Sequence, residues 1–187
     1  MINGKSVLAI IPARSGSKRL PGKNFRDFNG KPLYLWATEQ AVASRYIDVV
    51  KTSFDSDRPP ELCTDDASSE DVMRYHLAQQ PADWIVLLQP TSPLRTIGDI
   101  DACILRAQMG RGCVSVAKST RETNGAVYVC TPEYLAAHDF SYGGLMKYVM
   151  PDERSLDIDT EEDFLACLQS DCAPGREGRE RGQGGAV

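Results

Sequence analysis

Five cations crowd the stretch "AIIPARSGSKRLPGKNF" and its next residue. Arg14, Lys18, Arg19, Lys23 and Arg26 follow one another with no acidic residue between them, in a chain whose formal net charge is -5. Charges so close repel unless an anion settles among them. Gly16 and Gly22 would let the backbone approach such an anion and take up positive φ. Lysine supplies a point charge to phosphate oxygens, whereas arginine grips two oxygens at once. Two phosphate-binding patterns fail here. A Walker A loop needs four residues between its glycines and then Gly-Lys-Ser/Thr, but five residues separate Gly16 from Gly22 and Asn24 stands where the hydroxyl belongs. The dinucleotide fingerprint GxGxxG is absent as well. What remains is a strand followed by a glycine- and lysine-rich turn, as against a merely solvated basic loop.

A second pair of residues could do complementary chemistry. Asp157 and Asp159 stand two apart in "SLDID". On a strand they would project from one face, with Leu156 and Ile158 toward the core. Two converging carboxylates suit a hard divalent cation such as Mg²⁺. Spacing alone leaves open the simpler alternative of two solvent-facing acids before a helix cap.

The elements that must position these groups are legible in the apolar pattern. "SVLAIIP" (6–12) is a continuous apolar run, expected of a strand buried on both faces. Leu33, Trp36, Ala37 and Ala41 share one helical face, with Pro32 in the first turn. "YIDVVKT" (46–52) predicts a strand, and 68–80 a helix with a serine cap and acids in its first turn. "DWIVLLQPTSPLR" (83–95) is a short apolar strand that stops in a polar loop. Ile100, Cys103, Ile104 and Ala107 mark a helix. Strands at 113–117, 125–129 and 145–150 and a short helix near 132–138 come next. Thr160 and Asp163 form a capping-box signature. Strands alternating with helices predict an α/β fold, three layers α/β/α around a mostly parallel sheet. Such sheets bind ligands beyond the carboxyl ends of their strands, where the basic loop, "QPTSPLR" and "DID" all fall.

Composition narrows the class. With 187 residues, 42% hydrophobic and 25% charged, the chain suits one domain with a real core, expected over 1–172. The stretch 173–187 is rich in glycine and charge and is expected to be a disordered tail. Apolar runs are too short for a membrane span, no signal peptide is visible, and mild acidity argues against nucleic acid. Six cysteines without a CxxC pair read as buried, reduced thiols of a cytoplasmic protein. His76 and His138 read as structural.

Several motifs in order carry a specific likeness. "IPARSGSKRLPGKN", then "RPPEL…DDASSEDV" (58–72), "LLQPTSPLR" (87–95), "NGAVYV" (124–129) and "RSLDIDTEEDF" (154–164) together resemble the acylneuraminate cytidylyltransferase family. The resemblance implies a nucleotide-diphospho-sugar transferase-like, Rossmann-like fold and transfer of CMP from CTP to an acidic sugar, with release of pyrophosphate. It implies that Ala13, Arg14, Ser17, Lys18, Lys23 and Asn24 hold the triphosphate, and that Arg58 and Ser69 read cytosine, although Ser69 could also cap its helix. It implies acceptor contacts from Gln89 and Asn124, and Mg²⁺ held by Asp157 and Asp159. Arg14, Lys18, Lys23 and the two aspartates would be catalytic. Arg95 reads equally as a structural salt-bridge partner and is left outside the site.

The chain also departs from that family's plan. The turn and helix usual after the second strand are missing from "VVKTSFDSDRPPEL", and a handful of residues replaces the long dimerisation arm between "CVSVAKS" and "TNGAVYV". The arginine usual two positions before the "NG" asparagine is replaced by Glu122. The nucleotide half of the site is expected intact and the acceptor half reduced. That leaves a nonulosonic acid, a different small acid such as a phosphonate, or a degenerate homologue that binds without turnover. A runner-up class acts on neutral sugar phosphates. Loss of the helix should expose apolar surface, which a partner or second subunit would cover in a homodimer of non-standard interface.

Overall fold

The computed structural model describes residues 1–64 and 66–175. Its first strand, β1 (Val7–Pro12), is buried along almost its whole length. The reason lies in its alternation: Val7, Ala9 and Ile11 enter one apolar cluster, Leu8 and Ile10 another on the opposite face. A hairpin of two short strands, β2 (Asp27–Phe28) and β3 (Lys31–Pro32), leads into helix α1 (Leu33–Ala43). Strand β4 (Val49–Ser53) then pairs parallel with β1. Helix α2 (Ser69–Gln79) precedes β5 (Trp84–Leu87), which pairs parallel with the other side of β1.

The second half adds α3 (Ile97–Ala107), β6 (Gly112–Ala117), β7 (Thr123–Cys130), the short α4 (Pro132–Ala137), β8 (Met146–Met150) and α5 (Glu161–Gln169). The six-stranded sheet runs β4-β1-β5-β7-β6-β8. Only β7 is reversed, antiparallel to both β5 and β6, while β6 and β8 are parallel. Ala37 and Ala41 of α1 and Ile100, Cys103, Ile104 and Ala107 of α3 cover one face. Val72 and Met73 of α2 and Tyr134 and Leu135 of α4 cover the other. The three-layer, mostly parallel expectation holds. A third cluster seats α5 beyond the strand ends, with Phe28, Leu33, Leu94 and Ile158 around Phe164.

Three expectations change. Residues 155–159 form no strand; Ile158 is fully buried, but Leu156 is 42% exposed. This segment has only isolated ties, such as the Ile158 amide to the Thr91 carbonyl at 2.8 Å, so nothing imposes strand alternation on it. The apolar surface expected where a helix is missing does not appear on β4, none of whose residues is among the exposed large hydrophobics. Polar groups occupy this edge instead: Lys51 pairs with Asp57 at 3.0 Å, and Ser53 bonds His76. Of the tail expected from 173, Ala173 is buried and the Pro174 carbonyl accepts from Asn29. Residues 176–187 lie outside the described ones.

The burial expected of the thiols holds for four of the six, while Cys63 and Cys172 are half-buried. All six cysteines are free, and Cys103, Cys113, Cys130 and Cys167 are buried. No helix among the described residues is long and apolar enough to cross a membrane.

Candidate nucleotide site

β1 ends at Pro12, and the basic loop that follows bends over the carboxyl edge of the sheet. Gly22 takes the positive φ expected of it, +65°, and starts a 3-10 turn over Lys23–Phe25; Gly16 does not enter the left-handed region. That turn places Lys23 and Asn24 on the wall of a cleft of about 210 Å³. Arg14, Arg58, Ser69, Gln89, Asp157 and Asp159 line the same cleft. Sequence positions from 14 to 159 thus converge on one cavity.

Lys23 stands at the junction of the cationic and anionic walls. Its Nζ donates to the Ile158 carbonyl at 2.8 Å and to Asp159 Oδ1 at 3.2 Å. Arg19 reaches the other oxygen of the same carboxylate at 2.7 Å, a contact that sequence spacing gave no sign of. Asn24 is buried and donates to the Arg14 carbonyl at 2.9 Å, while its Oδ1 has no partner among the described residues. On the opposite wall Arg58 is buried, with Nε likewise unpartnered among them. Ser68, not Ser69, caps α2: its Oγ accepts from the Asp71 amide at 3.0 Å. Ser69 is therefore the first helical residue and faces the cleft without that duty.

Asp157 keeps an open side toward the cleft, yet protein surrounds its carboxyl. This crowding pushes its pKa up; hydrogen bonds from Thr91 and Ser92 and the charge of Lys23 oppose the rise, and Asp159 adds to it. A repelling pair of carboxylates is a donor set that suits a hard divalent cation. Among the described residues no group of three or more His, Cys, Asp or Glu side chains is arranged to hold a metal, so remaining ligands would have to come from bound oxygens.

Gly125 explains why the "NG" pair sits here. Its φ is +75°, and a Cβ at this position would lie 3.1 Å from Gln89 Oε1 and 3.5 Å from the Asp157 carboxyl. Bare backbone lets β7 approach both. Past Gln89 the cleft continues into a second hollow, of about 260 Å³, walled by Tyr128 and Phe140 with ring centroids 4.7 Å apart. Glu70 lines it, and among the described residues no lysine or arginine does.

Four expected residues are not brought to the cleft wall. Ala13 is buried at the root of the loop, its amide bonded to the Ser53 carbonyl at 2.8 Å. Ser17 and the exposed Lys18 stand on the outer part of the loop. Asn124 turns inward: Oδ1 accepts from Ser115 Oγ at 2.6 Å and Nδ2 donates to Ser155 Oγ at 2.9 Å. Its amide is committed to the core and not turned toward an acceptor. Arg95, read as a salt-bridge partner, instead donates through Nη1 to the carbonyls of Gln89, Ser92 and Ala126 at 2.6, 3.1 and 3.3 Å. Burial pulls its pKa down to about 9, against the pull of Asp157 and Asp99. It fixes the loop that carries Gln89. His76 bonds the buried Ser53 at 2.7 Å and His138 stacks on Tyr142, structural placements in both cases.

With this geometry in hand, comparison with known proteins is informative. The cytidylyltransferase family model matches residues 8–128. The N-acylneuraminate cytidylyltransferase of Streptococcus agalactiae is 30% identical over 212 positions, covering 84% of this chain and 51% of the relative. Those 212 positions exceed the 187 residues of the chain, so the relative carries segments that this chain lacks. The CMP-N,N'-diacetyllegionaminic acid synthase of Legionella pneumophila is 32% identical over 133 positions, 59% of this chain and 57% of that protein. The chain spans about half the length of the curated relatives it matches. Among solved structures, a CMP:2-keto-3-deoxy-manno-octonic acid synthetase complexed with CTP superposes with TM-score 0.69 at 16% identity, over 87% of this chain and 97% of that one. A Mycobacterium tuberculosis protein in complex with manganese gives 0.64 at 13% identity, over 88% and 99%. At such identities the likeness speaks for the fold.

Proposed function

Since this chain belongs to the cytidylyltransferase family, we propose that it transfers CMP from CTP to an acid sugar and releases pyrophosphate. The observation that carries this reading is the convergence of Arg14, Lys23, Asn24, Arg58, Ser69, Gln89, Asp157 and Asp159 on one cleft. Arg14 and Lys23 neutralise triphosphate oxygens. Arg58 and Ser69 on the facing wall offer donors to the carbonyl and ring nitrogen of cytosine. Gln89, at the mouth of the second hollow, orients the acceptor, whose ring faces Tyr128 and Phe140.

Asp157 and Asp159 would hold a divalent cation, magnesium in this reading, and that ion would neutralise triphosphate charge. The fit rests on two neighbouring carboxylates, Asp157, whose pKa desolvation raises, and Asp159 at 3.2 Å from Lys23 Nζ. Lys23 steadies the charge that grows on the departing pyrophosphate, while cleft walls keep the acceptor oxygen aligned with the α-phosphorus. Positioning and charge neutralisation dominate such transfers.

The hairpin turn of residues 118–122, closed by the Ala117 amide on the Glu122 carbonyl at 2.9 Å, favours a smaller acid as a second reading. It stands where the family's arm was expected, and no cation among the described residues lines the second hollow. Pyrophosphate release measured with CTP, Mg²⁺ and a panel of nonulosonic, shorter sugar and phosphonic acids separates the two. CTP binding without release from any acid would leave only a nucleotide-binding homologue.

A further inference from the structure

We infer that Asp55 is a positioning residue that couples the phosphate side of the nucleotide cleft to its base side. This rests on the CTP reading above. Asp55 does not line the cleft. It lies in the short connection after β4, on a 3-10 turn over Asp55–Asp57. One carboxylate oxygen, Oδ2, accepts from the Ser15 amide at 2.9 Å and from the Ser15 hydroxyl at 2.5 Å. The other, Oδ1, accepts from Arg58 Nη2 at 3.3 Å. A single carboxylate therefore holds the residue next to Arg14 with one oxygen and the base-side arginine with the other.

Burial and charge make this arrangement consequential. The Arg58 side chain is 2% exposed, and its ion-pair partner among the described residues is Asp55. Its Nε is buried and has no partner among the described residues. A buried guanidinium with one anionic partner takes its direction from that partner. Desolvation works to raise the Asp55 pKa, yet the Ser15 hydroxyl and amide and Arg58 outweigh it and hold the carboxyl lower. A further tie runs alongside: Arg14 Nη1 donates to the Thr64 carbonyl at 3.0 Å, binding the loop to the same wall. Movement of the basic loop is thereby transmitted to Arg58, so phosphate binding and base selection act as one event.

Asp55→Asn tests the coupling with almost no change of shape, because it removes the charge and leaves one acceptor oxygen, which can face Ser15 or Arg58 but not both. Two readouts are needed. In the free protein, hydrogen exchange at the Ser15 amide should accelerate by about tenfold or more, while β1 amides stay slow. In binding, affinity for CTP should fall by about tenfold and the preference for CTP over ATP should shrink by a similar factor. A folded variant with unchanged Ser15 exchange and an unaltered CTP-to-ATP preference overturns the clamp. A lower melting temperature with an unaltered CTP-to-ATP preference also overturns it, because that marks a purely structural residue. If Asp55→Asn fails to fold, Ser15→Ala removes the hydroxyl arm alone and should still accelerate exchange in the loop; no acceleration counts against the coupling. Failure of the unmodified protein to bind CTP would instead remove the proposed function, while hydrogen exchange still judges the clamp without any nucleotide.

Discussion

Lys23 Nζ and the Asp159 carboxylate, 136 positions apart in the chain, meet at 3.2 Å where the basic loop crosses the "DID" segment. The same ammonium holds the Ile158 carbonyl at 2.8 Å, so one lysine joins the two halves that sequence reading could only place at a common sheet edge. Its side chain is 16% exposed, enough to meet a ligand and shielded enough to keep its charge effective.

Removing that charge should separate folding from turnover. Lys23→Ala is expected to leave the circular dichroism spectrum unchanged and to lower pyrophosphate release by about a hundredfold or more, the cost typical of a lost charge-stabilising donor. Activity within a few-fold of the unmodified protein would remove Lys23 from the chemistry.

Gly125 should tolerate no side chain. Gly125→Ala forces a φ of +75° on an L-residue, costing roughly 1–2 kcal/mol, and brings a methyl to 3.1 Å from Gln89 Oε1. Because Gln89 must move, the KM for the acceptor should rise more than the KM for CTP. Equal changes in both constants would mean that Gln89 does not serve the acceptor.

Asn124 separates the structural from the substrate role. Asn124→Ala removes its bonds to Ser115 Oγ, Ser155 Oγ and the Ala126 amide, a loss of about 1–3 kcal/mol for buried polar groups, so the melting temperature should drop. Ser115 keeps Val127 and Ser155 keeps the Pro151 carbonyl. Acceptor KM should hold in the fraction that remains folded. A selective rise in that KM with no loss of stability would restore Asn124 to the acceptor site.

His76 supplies a pH signature. Burial, with Lys51 adding to it, lowers the pKa of this imidazole below 6.5; Asp57 opposes and Arg58 reinforces the shift, while Ser53 hydrogen-bonds the ring and Tyr75 packs against it. The unfolded chain therefore binds a proton that the folded one refuses. Stability from this group is complete above the unfolded pKa and declines as pH falls below about 6.5 toward the lowered folded value. His76→Gln should flatten that part of the stability-against-pH curve, measured by urea unfolding. An unchanged slope would place the acid sensitivity elsewhere.

Sequence patterns reached the frame because burial imposes a period. The continuous run of β1, the Ile100–Cys103–Ile104–Ala107 face of α3 and the Thr160–Asp163 cap each follow from local rules, and each is observed. Two of the expected residues, Lys23 in the loop after β1 and Ser69 on the first turn of α2, do line the cleft. What escaped lies in irregular backbone or, for Asn124 within β7, in the direction of a side chain on a strand. The direction of Asn124, the carbonyls that hold Arg95, the exposure of Leu156 and the Arg19–Asp159 pair depend on tertiary contacts between distant loops, which no local period encodes. Ile158 met its expected burial while Leu156 did not, because one amide bond to Thr91 anchors that single residue and not a strand.

A crystal of the protein soaked with CTP and Mn²⁺ tests the cleft most directly, since manganese scatters anomalously. If this is a cytidylyltransferase site, the triphosphate lies against Arg14 and Lys23, cytosine faces Arg58 and Ser69, and an anomalous peak appears beside Asp157 and Asp159. An empty cleft at saturating CTP, or a nucleotide bound elsewhere with both aspartates still turned to Lys23, Arg19 and Ser92, would contradict it.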